Sequence, residues 1–121
     1  MTITGVHHVA VQVNDLERSR SFYVDVLGLK EVRRQPHSLW VQAGDALVML
    51  EKCSGEAPPP AFNNDAQGLH LLALRIPAAA RESWRKRLTH AGFPVVHETG
   101  FTLYVRDPDG ARIALSHYPE Q

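Results

Sequence analysis

Apolar side chains at Val9, Val11 and Val13 alternate with His8, Ala10 and Gln12, the period of a strand with one buried face. The period then changes. Leu16, Phe22, Tyr23, Val26 and Leu27 recur at helical spacing between an Asn14-Asp15 start, with Glu17 in the first turn, and a Gly28 stop. This predicts a helix after the strand. Runs rich in valine, leucine and aromatics at 29–34, 38–42 and 46–51 predict three further strands.

The whole pattern then repeats. Gly5-Val6-His7-His8-Val9-Ala10-Val11-Gln12-Val13 returns as Gly68-Leu69-His70-Leu71-Leu72-Ala73-Leu74-Arg75-Ile76. Leu39-Trp40-Val41 is answered by Leu103-Tyr104-Val105, and the 45–50 run by 110–115. In the second copy a helix is expected from Pro77 through Ala80, Trp84, Leu88 and Ala91 to Gly92, with strands at 93–97, 101–106 and 111–117. Each half reads βαβββ, so the fold class is α+β: two tandem modules, 4–51 and 68–118, within a single domain of residues 1–121. Two copies, rather than three or more, imply a paired, pseudo-symmetric domain or dimer. The linker, 52–67, carries Pro58-Pro59-Pro60 and Asn63-Asn64-Asp65 without apolar periodicity, the mark of a loop.

Composition narrows the field. The chain has 121 residues, 44% of them hydrophobic, enough for a real core. Thirteen basic and thirteen acidic side chains cancel, so no long-range field favours nucleic acid or an anionic membrane. No apolar stretch approaches the roughly 20 residues that span a bilayer, and Met1-Thr2-Ile3-Thr4 is expected to run straight into structure without a charged and apolar leader. The expectation is a soluble cytoplasmic protein. The lone Cys53 forms no internal disulfide and reads as an incidental thiol.

The run His8-Val9-Ala10-Val11-x-Val13-x-Asp15-Leu16-x-x-Ser19-x-x-Phe22-Tyr23-x-x-Val26-Leu27-Gly28-Leu29, together with Tyr104-Val105-x-Asp107-Pro108-Asp109-Gly110, closely resembles the vicinal oxygen chelate superfamily. That family includes glyoxalase I, extradiol dioxygenases, methylmalonyl-CoA epimerase, fosfomycin-resistance enzymes and bleomycin-binding proteins. The resemblance implies a cup-shaped mixed sheet with helices on its outer face. In metal-using members four positions on the cup floor hold a divalent ion, and here those positions carry His8, Met49, Leu71 and Ala114. Leu and Ala donate nothing, and a thioether is a poor partner for a hard cation. The resemblance therefore points to a metal-free small-molecule binding protein of the bleomycin-resistance kind, with no cofactor. The alternative is a glyoxalase-, dioxygenase- or epimerase-type enzyme with one divalent ion (Fe, Mn, Ni or Zn) on His8 and Glu51. His7 and His70, by strand parity, are expected on the helix-covered face as buried, hydrogen-bonded residues.

On the opposite face the alternation gathers His8, Ala10, Gln12, Ser38, Trp40, Gln42, Leu47, Met49 and Glu51 from one half. From the other it gathers Leu71, Ala73, Arg75, Thr102, Tyr104, Arg106, Arg112, Ala114 and Ser116. Thr102 and Tyr104 fall where the fosfomycin-resistance relatives contact substrate. The expected ligand-binding set is His8, Trp40, Met49, Leu71, Thr102, Tyr104 and Ala114, holding an aromatic or amphipathic molecule. The competing reading makes Trp40 and Tyr104 plain core. By resemblance the chain is expected to be a homodimer with two symmetric sites.

Overall fold

In the computed structural model, residues 1–54, 65 and 67–121 are described. Most of the 52–67 linker lies outside them. The chain divides into two compact units, Met1–Pro58 and Pro59–Gln121, and each holds one four-stranded mixed sheet of α+β character.

The first module runs β1 (Val9–Val13), α1 (Leu16–Arg20), β2 (Lys30–Gln35), β3 (Ser38–Ala43) and β4 (Ala46–Lys52). Its sheet order is β1-β4-β3-β2, with β1 parallel to β4 and the other pairs antiparallel. Alternation does what the sequence implies. Val13, Leu39, Val41, Val48 and Leu50 are buried beneath the helix, while Ala10, Gln12, Gln42 and Glu51 face outward on the open side. The Asp15 side chain accepts the Arg18 N–H, capping α1.

The helix departs from expectation beyond Arg20. Ser21–Val26 is a π-helical continuation, in which the Leu27 N–H donates to the Phe22 carbonyl. The wider turn buries the neighbouring Phe22 and Tyr23 rings together, edge to face at 5.0 Å. Gly28, at φ 75°, then closes the segment, and the Leu29 N–H reaches back to the Tyr23 carbonyl.

The second module repeats the order with β5 (Leu72–Arg75), a 3₁₀ turn (Ala78–Ala80), α2 (Arg81–His90), β6 (His97–Glu98), β7 (Thr102–Arg106) and β8 (Arg112–Ser116). Its sheet order is β5-β8-β7-β6. Of the strand expected at 93–97 only His97 joins the ladder, as the first residue of the two-residue β6; Pro94 has no N–H to give, and the Val96 N–H donates to the Tyr104 carbonyl just before β6 begins. Leu88, Leu103, Val105, Ile113 and Leu115 form the core. The Asp107-Pro108-Asp109-Gly110 motif is a turn: the buried Asp107 carboxylate accepts the N–H groups of Asp109 and Ala111 at 2.9 and 2.8 Å.

Both modules tie helix to outer strand with ion pairs. Arg34 joins Glu17 of α1 to Glu31 of β2, and Glu98 of β6 accepts from Arg81 and Arg85 of α2. The Cys53 Sγ sits 3.4 Å from the Val13 carbonyl, a weak internal contact. Among the described residues no helix is long and apolar enough to cross a membrane.

Candidate ligand-binding site

The open face of the first module is organised by register. Ala10 pairs with Met49, Met49 with Trp40, and Trp40 with Arg33, so these four side chains form one row across the sheet. Arg33 owes its place to an irregularity in β2. Glu31 pairs with Val41 and Arg33 with Trp40, leaving Val32 as an extra residue. An uninterrupted ladder would place Val32 opposite Trp40 and turn Arg33 to the helix side; the bulge reverses this.

Around the row lies a concavity of about 380 Å³ lined by His7, Val32, Arg33, Trp40 and Leu47. Trp40 is half-buried, and its indole N–H donates to the Gln35 amide oxygen at 3.3 Å. The same oxygen accepts from the Ser38 hydroxyl at 2.8 Å, which fixes the ring. The His8 ring packs on Trp40 with centroids 4.8 Å apart, and the Nδ1 atoms of His7 and His8 approach to 2.9 Å. Arg34 is engaged by Glu17 and Glu31, whereas the Arg33 guanidinium has no hydrogen bond or ion pair among the described residues.

The second module has the same row in the same register: Ala73, Ala114, Tyr104 and His97. Its filling differs. Arg112, which occupies the place of Leu47, lies over the Tyr104 ring with its guanidinium carbon 4.3 Å from the centroid, and it contacts His70 Nε2 at 2.7 Å. Thr102 shares the face, but its hydroxyl is held by Ser116 at 2.9 Å. Ala114 is buried and Leu71 half-buried just before β5.

Two expectations need correction. His7 and His70 are exposed, not buried under the helices. The strands begin at Val9 and Leu72, so the period-two argument does not extend to residues outside the ladder. His117 is the buried histidine: its Nε2 accepts from Arg81 at 3.0 Å and its Nδ1 donates to the Glu120 carbonyl.

The four positions that the resemblance assigns to a metal ion carry few donors. His8 supplies an imidazole and Met49 a thioether in one module, while Leu71 and Ala114 supply nothing in the other. Glu51 shares the face of Met49, but it pairs with Gln12 while His8 precedes the Val9–Val48 pair. Four residue steps, roughly 13 Å, separate the levels of His8 and Glu51. Among the described residues, no three His, Cys, Asp or Glu side chains are grouped so as to hold a metal ion.

A sequence model described as the Glyoxalase/Bleomycin resistance protein/Dioxygenase superfamily matches residues 5–115. The chain belongs to this superfamily. Among curated proteins of the family, catechol-2,3-dioxygenase of Bacillus subtilis is 31% identical over 118 residues, which cover 93% of this chain and 41% of that protein. The chain therefore spans about two-fifths of the length of the curated relatives it matches. Among solved structures, a glyoxalase/dioxygenase from Nostoc punctiforme superposes with a TM-score of 0.80 at 24% identity, covering 97% of this chain and 92% of that one. A glyoxalase family protein from Enterococcus faecalis gives 0.76 at 25% identity, covering 97% and 100%. The superfamily's βαβββ unit is thus present twice here, with its opening and closing motifs serving as helix cap and turn.

Sequence reasoning missed Arg33. The run Lys30-Glu31-Val32-Arg33-Arg34-Gln35 shows no alternation, and parity cannot be carried through a bulge.

Proposed function

We propose that the protein binds a planar small molecule on the open face of its first module, with Trp40 as the stacking platform and without a metal ion. The observation that carries this reading is the Trp40 ring on the wall of a concavity of about 380 Å³, within the size range of small-molecule sites. His8, in this reading, is an aromatic neighbour of the ligand rather than a lone metal ligand, since one imidazole holds a divalent ion too weakly to retain it. The test is ligand titration read by Trp40 emission in a Trp84→Phe background, beside elemental analysis of the freshly purified protein. Saturable quenching with sub-stoichiometric metal is expected; saturable binding indifferent to Trp40→Ala would overturn the assignment.

A second reading is favoured by the names of two Bacillus subtilis relatives, catechol-2,3-dioxygenase and a putative ring-cleaving dioxygenase. It makes the protein a ring-cleaving enzyme that keeps one divalent ion on His8 and Glu51. Near-stoichiometric Fe or Mn, lost in His8→Ala, would restore it.

The reading extends to a cytoplasmic homodimer with two symmetric sites. Val6 and Leu69, equivalent in the repeat, are 82% and 90% exposed and give each module an uncovered apolar side chain. Sedimentation as a monomer at micromolar concentration would remove the dimer.

A further inference from the structure

The two modules carry one constellation twice, and they fill it differently. His7, Val32, Arg33, Trp40 and Leu47 of the first module correspond by register and repeat to His70, Val96, His97, Tyr104 and Arg112 of the second. In the second module a flat guanidinium from the chain itself covers the aromatic face at 4.3 Å and meets the histidine that precedes the first strand at 2.7 Å. In the first module Leu47 is too short and too apolar to do either. The Trp40 face and His7 are left lining an open concavity.

Whatever else covers Trp40, whose ring already meets His8 at 4.8 Å, must come from outside this constellation, and the surroundings state its chemistry. It has to be flat, to stack on an indole as Arg112 stacks on Tyr104. It must also suit Arg33, whose guanidinium stands on the neighbouring strand, paired directly with Trp40 and without a partner among the described residues. Adjacent strands lie roughly 4.8 Å apart, so a ring over Trp40 brings its own edge to Arg33. A carboxylate attached directly to that ring lies in its plane and offers two oxygens to the planar fork of the guanidinium. The bulge at Val32 is what puts Arg33 on this face at all, and bulges that re-aim a side chain are over-represented beside active sites.

We infer that the first module's pocket takes an aromatic carboxylate, one per chain, with its ring on Trp40 and its acid group on Arg33, while the second module's equivalent place is occupied by Arg112. The inference rests on the binding reading above and names the ligand class for it.

Isothermal titration calorimetry with a matched pair of probes, 2-naphthoate and its neutral analogue 2-naphthamide, tests it. The two share ring and size and differ in charge. Wild-type protein is expected to bind one naphthoate per chain, roughly tenfold more tightly than the amide, the effect of one charge-assisted pair. In Arg33→Gln the preference falls to about twofold or less with amide affinity unchanged, and Arg33→Lys restores part of it. Equal affinity for the two probes in the wild type would overturn the acidic-ligand inference and leave the aromatic pocket standing. A preference that survives Arg33→Gln would assign the acid to another cation. Failure of both probes to bind saturably would overturn the pocket reading itself, and this inference with it.

Discussion

Trp40 and Tyr104 stand at equivalent points of the two modules, each paired across the sheet with the residue of the last strand, yet one ring opens onto a concavity and the other lies under an arginine. Beneath them the cores agree almost residue for residue. Leu39 and Leu103 are both fully buried, as are Val41 and Val105. The helix-covered faces answer to packing, which tolerates little change of volume. The open faces have no such constraint: where the first module has Leu47 lining a concavity, the second has Arg112, whose guanidinium lies over the aromatic ring.

The largest effects are expected where the modules agree. Leu39→Ala and Leu103→Ala each remove a fully buried leucine, and each should cost about 2–5 kcal/mol in urea unfolding. A large cost in one and almost none in the other would break the equivalence of the two cores. Next comes the exchange of the differing residues. Leu47→Arg transplants the second module's cap onto Trp40, and the affinity for 2-naphthoate should fall on the order of a hundredfold by calorimetry. Unchanged affinity would show that the indole face is not the platform.

The reciprocal change, Arg112→Leu, should uncover Tyr104 and raise the stoichiometry of 2-naphthoate towards two per chain. Because His97 stands where Arg33 stands in the first module, the new site should be weaker by roughly tenfold. A stoichiometry still at one would mean that Arg112 is not what closes the second module's site.

The smallest effect concerns the ion pairs between helices and outer strands. The hydrogen bond from Arg85, and then that from Arg81, hold the Glu98 carboxyl at about 2, well below its ordinary value of 4.5. Glu31 is also lowered, chiefly by the hydrogen bond from Arg34. A depressed folded-state value contributes stability above the unfolded one, and the contribution is lost as pH falls from about 4.5 through about 2. Glu98→Gln should therefore flatten the acid limb of the melting-temperature profile and leave its shape near neutrality alone. The Glu98 carboxylate is solvent-exposed, so the change is small. An acid limb identical to the wild type would show that Glu98 has no special link to folding.

Much of this was legible in the sequence because a repeat is read twice. The alternation at Val9, Val11 and Val13 gave the faces, and Gly28 and Gly92 gave the helix ends, each at positive φ in the structure. What escaped lay where periodicity fails. His7 and His70 precede the ladders, so parity misplaced them on the covered face. Arg33 follows a bulge, and no count of alternating residues crosses one correctly. The π-helical turn at Ser21–Val26 also escaped, since Phe22, Tyr23 and Val26 fit an ordinary helical period nearly as well. Arg112 was assigned to the open face, but the contact of its side chain with Tyr104 depends on rotamers that sequence spacing does not specify.

The extra residue in β2 has one more consequence, for how such a site changes over generations. Deleting Val32 joins the Glu31–Val41 pair directly to the Arg33–Trp40 pair, and the ladder becomes regular with every remaining side chain on its present face. Most single-residue deletions in a strand invert all that follows. This one removes a wall of the concavity and nothing else, so loss of a single codon can enlarge the pocket without disturbing the sheet that carries it.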